Sequence, residues 1–299
     1  MLDRIACAPC CWGVEESSLA TNPSWGKVLM DASDSGFRGI ELGPDGFFPL
    51  APDMLKSAFR TRGLQMCAGK IQQPFCDPVN MPDILQEVEK VCQRLDALGV
   101  KNLLVMEGIH MERYDHIGQS VTAPRLWMED KSTLIENLES IIKVADKYEV
   151  RCLLHPGIGG YVSYKDEIDF VMSQIPASKL GLCLDIGHTF LDGMDPISMI
   201  RLYGSRIDHI HIKDISTEKL RIAIRDKLRW VDAYSEGLIT PLGKGDIKLK
   251  EIIDALKAID YQGWLVVEHE HGIEDLSKVS QDLKCSRHYL TQIVASSHY

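Results

Sequence analysis

The sequence predicts an α/β protein built as one (β/α)8 barrel, in which eight parallel strands close into a sheet inside a ring of helices. Two patterns support this fold class. Short apolar runs alternate with longer amphipathic segments along the chain, and there are eight such runs. The alternation favours a parallel sheet, and the number of repeats favours a closed barrel over an open sheet.

The predicted strands are short enough for a barrel strand and rich in apolar residues. They are residues 4–8, 39–43, 64–68, 102–106, 151–155, 180–185, 207–212 and 264–268.

The predicted helices have the spacing of apolar residues that an amphipathic helix requires. They are residues 25–35, 53–62, 82–98, 133–148, 165–174, 196–203 and 248–259, with a last helix from residue 275 to about residue 294. Gly36, Gly63 and Gly99 follow the first three helices, where the left-handed conformation that ends many helices favours glycine.

Residues 1–299 are predicted to form one domain, because barrels of this class commonly take about 250 residues. Two connections are longer than the others, residues 107–130 and 214–246, and both follow strands on the carboxyl side of the barrel. Long loops on this face often build or cover an active site, although a contact between subunits is an alternative.

The charge of the chain argues against two classes of partner. The 43 acidic and 33 basic residues give a net charge of -10, so no dense basic patch is expected for nucleic acid or an anionic membrane. No apolar run approaches the roughly 18 residues that span a bilayer, and the amino terminus does not begin a signal peptide. We therefore expect a cytoplasmic protein.

Cysteine usage indicates reduced, structural thiols. Nine cysteines are scattered along the chain, several of them inside apolar runs where a thiol acts as a small hydrophobic group. Cys7, Cys10 and Cys11 resemble half of a zinc site, but no second CxxC pair follows them.

Four of the strands end in residues that bind metals: His155, Asp185, His211 and Glu268. In a closed barrel these side chains converge on one mouth and can surround a divalent cation, although such residues can also simply cap strands at the surface. Two imidazoles and two carboxylates suit manganese, cobalt, iron or zinc better than calcium. His209 points to the same face of its strand as His211, so spacing alone does not choose between them.

Several motifs resemble those of the inosose dehydratases, a branch of the xylose-isomerase-like superfamily of sugar isomerases and epimerases. The matches run in order along most of the chain: GFRGIE at 36–41, GFFP at 46–49, AGK at 68–70, LDIGH at 184–188, HIHIKD at 209–214, TPLGKGD at 240–246 and GWLVVEHE at 263–270. The resemblance implies a xylose-isomerase-like TIM barrel. It also implies that His155, Asp185, His211 and Glu268 bind one divalent metal ion, with Mn²⁺ or Co²⁺ favoured over Fe²⁺, Zn²⁺ or Mg²⁺.

The resemblance also bears on the reaction. Epimerases of this superfamily use two metal-bound carboxylates on opposite faces of the substrate, one of them from the fifth strand. This chain has His155 at that place, and an imidazole whose lone pair is committed to a metal does not also accept a proton. The replacement favours elimination, or an isomerisation that uses a base from elsewhere, over a two-base epimerisation.

Further polar and aromatic residues at strand ends are candidates for the site. We predict catalytic roles for His188, Lys70 and Glu268. Residues predicted to bind the substrate are Trp12, Glu41, Phe47, Glu107, Lys213 and Glu270. Three alternatives remain open: a salt bridge between Lys213 and Asp214, a Schiff-base role for Lys70, and ordinary core packing for Phe47 and Phe48.

The predicted function is a divalent-metal-dependent lyase that removes water from a cyclic keto-polyol such as inosose. A ketose isomerase or epimerase, or a lyase that eliminates from a 3-keto-glycoside, is the alternative within the superfamily. A non-catalytic sugar-binding barrel is the alternative from another class. The expected partner is a small-molecule polyol or keto-sugar, and the resemblance suggests a homo-oligomer.

Overall fold

The structure is a computed structural model that describes residues 1–116, 118–270 and 276–296, with side chains from residue 278 onward in the last segment. Its strands are β1 Ile5–Cys7, β2 Gly39–Ile40, β3 Gln65–Met66, β4 Gly69–Gln73, β5 Asn102–Glu107, β6 Arg151–Leu154, β7 Leu180–Asp185, β8 Ile207–Ile212, β9 Asp214–Ile215, β10 Ile239–Thr240 and β11 Trp264–Val267.

Nine of these strands form one parallel sheet in the order β3-β2-β1-β11-β8-β7-β6-β5-β4. The two ends of this order, β3 and β4, are consecutive in the chain and together make the third barrel strand: β3 pairs with β2, and β4 pairs with β5. Hydrogen bonds from the Cys67 N–H to Ile40 and from the Leu42 N–H to Ala68 continue the ladder across the break. The sheet is thus closed, and the predicted (β/α)8 barrel is confirmed.

The helices are α1 Trp25–Asp34, α2 Pro52–Arg60, α3 Met81–Leu98, α4 Met128–Asp146, α5 Lys165–Gln174, α6 Ile186–Leu191, α7 Pro196–Tyr203, α8 Thr217–Asp226, α9 Trp230–Ser235, α10 Leu249–Ala258 and α11 Leu276–Ser296. Gly36, Gly63 and Gly99 all have positive φ, as the helix ends predict. The predicted start of the last helix, at residue 275, lies outside the described residues. No helix in the described part of the chain is both long and apolar enough to cross a membrane.

The short helix α6 was not predicted, and the structure also differs from the sequence-based elements at other places. The third strand continues to Gln73, beyond the predicted end at residue 68. Helix α4 begins at Met128 rather than at residue 133. Segment 214–246 contains the antiparallel pair β9 and β10 and the helices α8 and α9, so it is a folded excursion and not one long loop.

Side chains alternate between the barrel interior and the layer under the helices, because successive residues of a strand point to opposite faces. Small and apolar groups fill part of the interior. These are Ala6, Ala8, Cys10, Cys67 and Val266 in one cluster, and Ala68, Leu104, Leu153 and Cys183 in another. The polar side chains described below lie at the carboxyl end of the same strands.

Candidate active site

The four predicted metal ligands occupy matching positions on neighbouring strands. Asp185 of β7 lies directly opposite His211 of β8. Val266 of β11 also lies opposite His211, and Glu268 follows Val266 by two residues on the same face. His155 follows β6, which pairs with β7. The register therefore brings all four side chains to one mouth of the barrel.

Their ligand atoms form a compact buried cluster in which all four lie within 4.8 Å of one another. His211 Nδ1 is 3.0 Å from both His155 Nε2 and Glu268 Oε2, and 3.6 Å from Asp185 Oδ2. His155 Nε2 is 3.8 Å from the same Asp185 oxygen. Two imidazole nitrogens and two carboxylate oxygens thus face a common point.

Glu41 fixes the orientation of His211. Its Oε1 atom lies 2.8 Å from Nε2 of His211 and 2.8 Å from Nε2 of His209. Burial raises the pKa of Glu41, but the charge of His211 and the hydrogen bonds from both histidines lower it to about 2. As an anion Glu41 accepts the Nε2–H groups of both histidines, so Nδ1 is the nitrogen of His211 that faces the cluster. His209 therefore belongs to the layer beneath, and His211 is the better ligand candidate.

The arrangement fits a divalent cation. Nδ1 of His211 lies 3.0 Å from Nε2 of His155, and carboxylate oxygens of Glu268 and Asp185 lie beside them, so the four atoms can serve as ligands of one cation. Nδ1 of His155 is buried and has no hydrogen-bond partner in the described residues. Mixed imidazole and carboxylate donors suit a first-row transition metal, and a carboxylate on the far nitrogen of a ligand histidine, as at Glu41, is typical of metal sites.

Lys213 is the fully buried neighbour of this cluster. Its Nζ atom donates to Asp185 Oδ2 at 2.6 Å and to Glu268, and it forms an ion pair with Glu270 Oε1 at 3.1 Å. Burial lowers the pKa of Lys213, but Asp185 and Glu268 raise it well above its usual value, so the lysine is a cation. The possible salt bridge between Lys213 and Asp214 is not formed.

Asp214 instead anchors the segment 240–246. Its carboxylate accepts hydrogen bonds from the backbone N–H groups of Gly243, Gly245 and Ile247 and of the adjacent Ile215, at 2.8 to 3.1 Å. The motif TPLGKGD is thus held against the strand end that carries Lys213.

His188 lies beside the cluster in the first turn of α6. Asp185 is the N-cap of this helix and accepts the His188 backbone N–H at 2.9 Å, which places the imidazole next to the four ligand atoms. His188 Nε2 is 4.0 Å from Asp185 Oδ2. Burial lowers the pKa of His188 to about 4, so the ring is neutral near pH 7.

A cavity of about 540 Å³ opens over these groups. It is lined by His155, His188, Lys213, Glu268, Glu270 and Lys70, among others. An adjoining compartment of about 590 Å³ shares Cys10, Glu15, Lys70 and Glu268 with it and extends to Glu41. The volume accommodates a polyol of one ring.

Burial and neighbouring charges determine the protonation of Lys70 and Glu270 in this cavity. Burial lowers the pKa of Lys70, but Glu15 and Glu268 raise it above its usual value, so the amine is protonated. Burial raises the pKa of Glu270 to about 7, and Lys213 opposes this shift. Oε2 of Glu270 is buried and without a hydrogen-bond partner in the part of the chain that the structure describes.

Three residues that were predicted to bind substrate line neither of these two compartments. Trp12 is only 1% exposed, and its indole N–H donates to Asp31 at 3.2 Å. Phe47 packs edge-to-face on Phe48, with ring centroids 5.0 Å apart. Glu107 points away from the cavity and contacts His110. Trp12 and Phe47 are therefore core residues, and Glu107 belongs to another cluster.

Two aromatic residues of the cavity were missed by sequence analysis. Trp230 and Tyr234 of α9 line it, and their rings lie 5.2 Å apart. Both lie within segment 214–246, on the face where active-site loops occur, and this was the available signal. Their placement depends on the fold of that segment, which has no strong periodicity.

Comparison with known proteins agrees with this fold and site. A profile of the Xylose isomerase-like TIM barrel family matches residues 29–289. The chain belongs to this family. It is 28% identical over 272 residues to the rhizopine catabolism protein MocC of Rhizobium meliloti, covering 89% of this chain and 81% of that protein.

Inosose dehydratases are among the relatives. The chain is 27% identical over 275 residues to the inosose dehydratase of Lactiplantibacillus plantarum, covering 91% of this chain and 89% of the relative. The predicted resemblance to this branch is confirmed. The solved structure of the IolI protein, which holds a zinc atom, shares the fold with a TM-score of 0.75 at 17% identity, covering 99% of each chain.

Proposed function

We propose that this protein is a divalent-metal-dependent dehydratase that removes water from a cyclic keto-polyol such as inosose. The observation that carries the proposal is the cluster of His155, Asp185, His211 and Glu268 at the floor of a ring-sized cavity. The inosose dehydratases among the relatives support the reaction class and the substrate.

The four residues of the cluster would hold the metal ion, and Glu41 would keep His211 in the orientation that binds it. Mn²⁺ or Co²⁺ fits this donor set well, and the zinc atom of the IolI structure supports a divalent cation in this fold. When bound, such an ion polarises a ketone and its neighbouring hydroxyl and so makes the adjacent C–H bond more acidic.

His188 is the proposed base for the proton on the carbon next to the ketone. It lines the cavity, its main chain is fixed by Asp185, and its Nδ1 atom is buried without a partner in the described residues. Lys70 is a cation and does not accept a proton, so it would hold a substrate oxygen and stabilise negative charge there. It is not a candidate for a Schiff base in this state, because only a neutral amine attacks a carbonyl.

Glu270 and Lys213 complete the polar wall. Glu270 contacts Lys213 through Oε1, which leaves Oε2 to face a hydroxyl group or to protonate the departing one. Lys213 is held by two carboxylates of the metal cluster and so would keep them in place. Trp230 and Tyr234 offer apolar faces on which a ring can stack.

The proton and the β-hydroxyl leave together as water, and a C=C bond forms between the two carbons. A two-base epimerisation would need a second acceptor on the opposite face of the substrate. His155 stands where the epimerases carry that carboxylate, and its Nε2 atom points into the metal cluster. This supports elimination rather than epimerisation.

Proton NMR tests the proposal. Metal-free protein is loaded with Mn²⁺ and incubated with inosose, free ketoses or keto-glycosides, and the metal is removed by chelation before spectra are recorded. We expect loss of inosose signals with formation of a dehydrated dione, and no reaction in the presence of chelator. The His188→Gln protein should lose at least 100-fold in rate, whereas His288→Gln, at an exposed position of α11, should match the native rate. Unchanged inosose together with interconverting ketoses would contradict a dehydratase, and no reaction of any compound would indicate a binding protein.

A further inference from the structure

A second cluster of metal-binding side chains lies outside the cavity. Cys76 follows β4, Glu107 is the last residue of β5, and His110 lies three residues further on. Met106 lines the cavity, so its neighbour Glu107 points to the opposite face of the strand. The cluster is therefore separate from the four residues proposed to bind the first metal ion.

The three side chains converge closely. His110 Nε2 is 2.8 Å from Glu107 Oε1 and 3.5 Å from Cys76 Sγ, and one ligand atom of each residue lies within 4.8 Å of the others. These separations are similar to those between donors around a tetrahedral ion with bonds of about 2.0 to 2.3 Å. The donors are sulfur, nitrogen and oxygen, which is a typical zinc set.

Glu107 is the buried carboxylate of this cluster. It is 2% exposed, and its Oε2 atom is buried without a hydrogen-bond partner in the described residues. Glu107 forms an ion pair with His110. No lysine or arginine within residues 1–116, 118–270 and 276–296 is paired with it. A bound cation would compensate the negative charge of this buried carboxylate.

The site is held in place before any ligand arrives. The His110 backbone N–H donates to Gly159 at 2.9 Å, and its ring packs on Tyr161 with centroids 4.5 Å apart. Tyr161 is itself fixed by a hydrogen bond from its hydroxyl to Glu112 at 2.7 Å. The His110 side chain is 17% exposed and Cys76 is half-buried, so an ion can reach the cluster and keep a water molecule.

We propose that Cys76, Glu107 and His110 bind a second divalent cation of the thiophilic kind, such as Zn²⁺ or Co²⁺. The ion would join the segment after β4 to the beginning of the connection that follows β5. Binding exchanges the thiol proton for the metal, so one proton is released to solvent. The proposal does not depend on the dehydratase reaction.

Titration of metal-free protein with Co²⁺ tests this second site, because a cobalt–thiolate bond has a charge-transfer absorption that imidazole and carboxylate ligands lack. We expect about two bound equivalents and this absorption in the native protein. Cys76→Ala should lose one equivalent and the absorption. His211→Ala should lose one equivalent and keep the absorption, which separates the two sites.

Cys10→Ala is the matched control, because the Cys10 thiol lies 3.4 Å from Glu268 at the first site. It should keep the thiolate absorption. If Cys76→Ala does not fold, as judged by circular dichroism, the partly exposed His110→Ala variant gives the same test, with loss of one equivalent expected. One equivalent without thiolate absorption in the native protein, or an absorption that persists in either variant, would overturn the proposal.

Discussion

A single carboxylate determines how His211 faces the candidate metal site. Glu41 accepts hydrogen bonds from Nε2 of both His209 and His211, which leaves Nδ1 of His211 facing Asp185 and Glu268. Carboxylates in this position orient the ligand and increase its basicity. Glu41 was predicted to hold a substrate hydroxyl, and the structure supports a positioning role instead.

Glu41→Gln should therefore lower the affinity for Mn²⁺ by roughly 10- to 100-fold, because a neutral amide oxygen is a weaker acceptor than a carboxylate and does not increase the basicity of His211. A competition titration against a coloured chelator measures this. Glu87→Gln is the matched control, since Glu87 lines the adjoining compartment and contacts only Gln73 among its recorded side-chain partners in the described residues. Equal affinities in the native and Glu41→Gln proteins would remove the positioning role.

Asp192 is a buried carboxyl group outside the metal cluster. Burial raises its pKa to about 7, although a hydrogen bond from Ser163 and the charge of Arg113 oppose this. A carboxyl group with a higher pKa in the folded chain binds more protons there than in the unfolded chain. Its contribution to stability is therefore lost as pH rises from about 4 to about 7.

Between pH 5 and pH 8 the native protein should lose about 2 to 3 kcal/mol more unfolding free energy than Asp192→Asn, which does not titrate. Urea unfolding of both metal-free proteins at the two pH values provides the comparison. Asp195→Asn, which keeps a cap for α7, should follow the native dependence. A parallel dependence in the native and Asp192→Asn proteins would show that Asp192 is already ionised at pH 5.

At the scale of elements, the conformation of segment 240–246 depends on the carboxylate of Asp214. Asp214 accepts four backbone N–H groups, three of them from residues 243–247. Asp214→Ala should lower the free energy of unfolding by about 2 to 4 kcal/mol, because buried donors lose a charged acceptor. Urea unfolding measures the loss. Asp246→Ala, which removes an exposed acceptor of Thr217 in the same segment, is the control and should change it far less.

Limited proteolysis locates the effect of the Asp214 substitution. Cleavage within residues 240–247 should accelerate in Asp214→Ala and remain at the native rate in Asp246→Ala. A stable Asp214→Ala protein with native cleavage would mean that packing, and not the carboxylate, holds this segment.

The barrel was predictable because eight short apolar runs alternate with amphipathic segments, and because glycines such as Gly36 and Gly99 mark helix ends. The metal cluster was predictable for a related reason: parallel strands bring their carboxyl ends to one mouth, so strand-end residues meet. The structure places His155, Asp185, His211 and Glu268 together in this way.

Other features depend on contacts that a pattern does not contain. The six-residue α6 is too short for its periodicity to be recognised, and it depends on Asp185 as a cap. Trp12 follows β1 at the barrel mouth, yet its indole N–H donates to Asp31 of α1, and the side chain is buried in the core. Trp230 and Tyr234 reach the cavity only because segment 214–246 folds back over it.

For the whole molecule, the barrel brings the candidate metal ligands together. Residues separated by more than 100 positions in the chain, such as His155 and Glu268, become neighbours because β6, β7, β8 and β11 are consecutive strands of the barrel. A cation bound at that point would link four strands of the barrel, so metal binding is expected to stabilise the fold as well as to support reaction.

Anomalous diffraction from crystals grown with Mn²⁺ measures the central feature most directly. We predict one strong anomalous peak bonded to His155 Nε2, Asp185, His211 Nδ1 and Glu268, with Glu41 still on Nε2 of His211. The absence of a peak at these four residues, whether or not one occurs at Cys76, Glu107 and His110, would contradict the account.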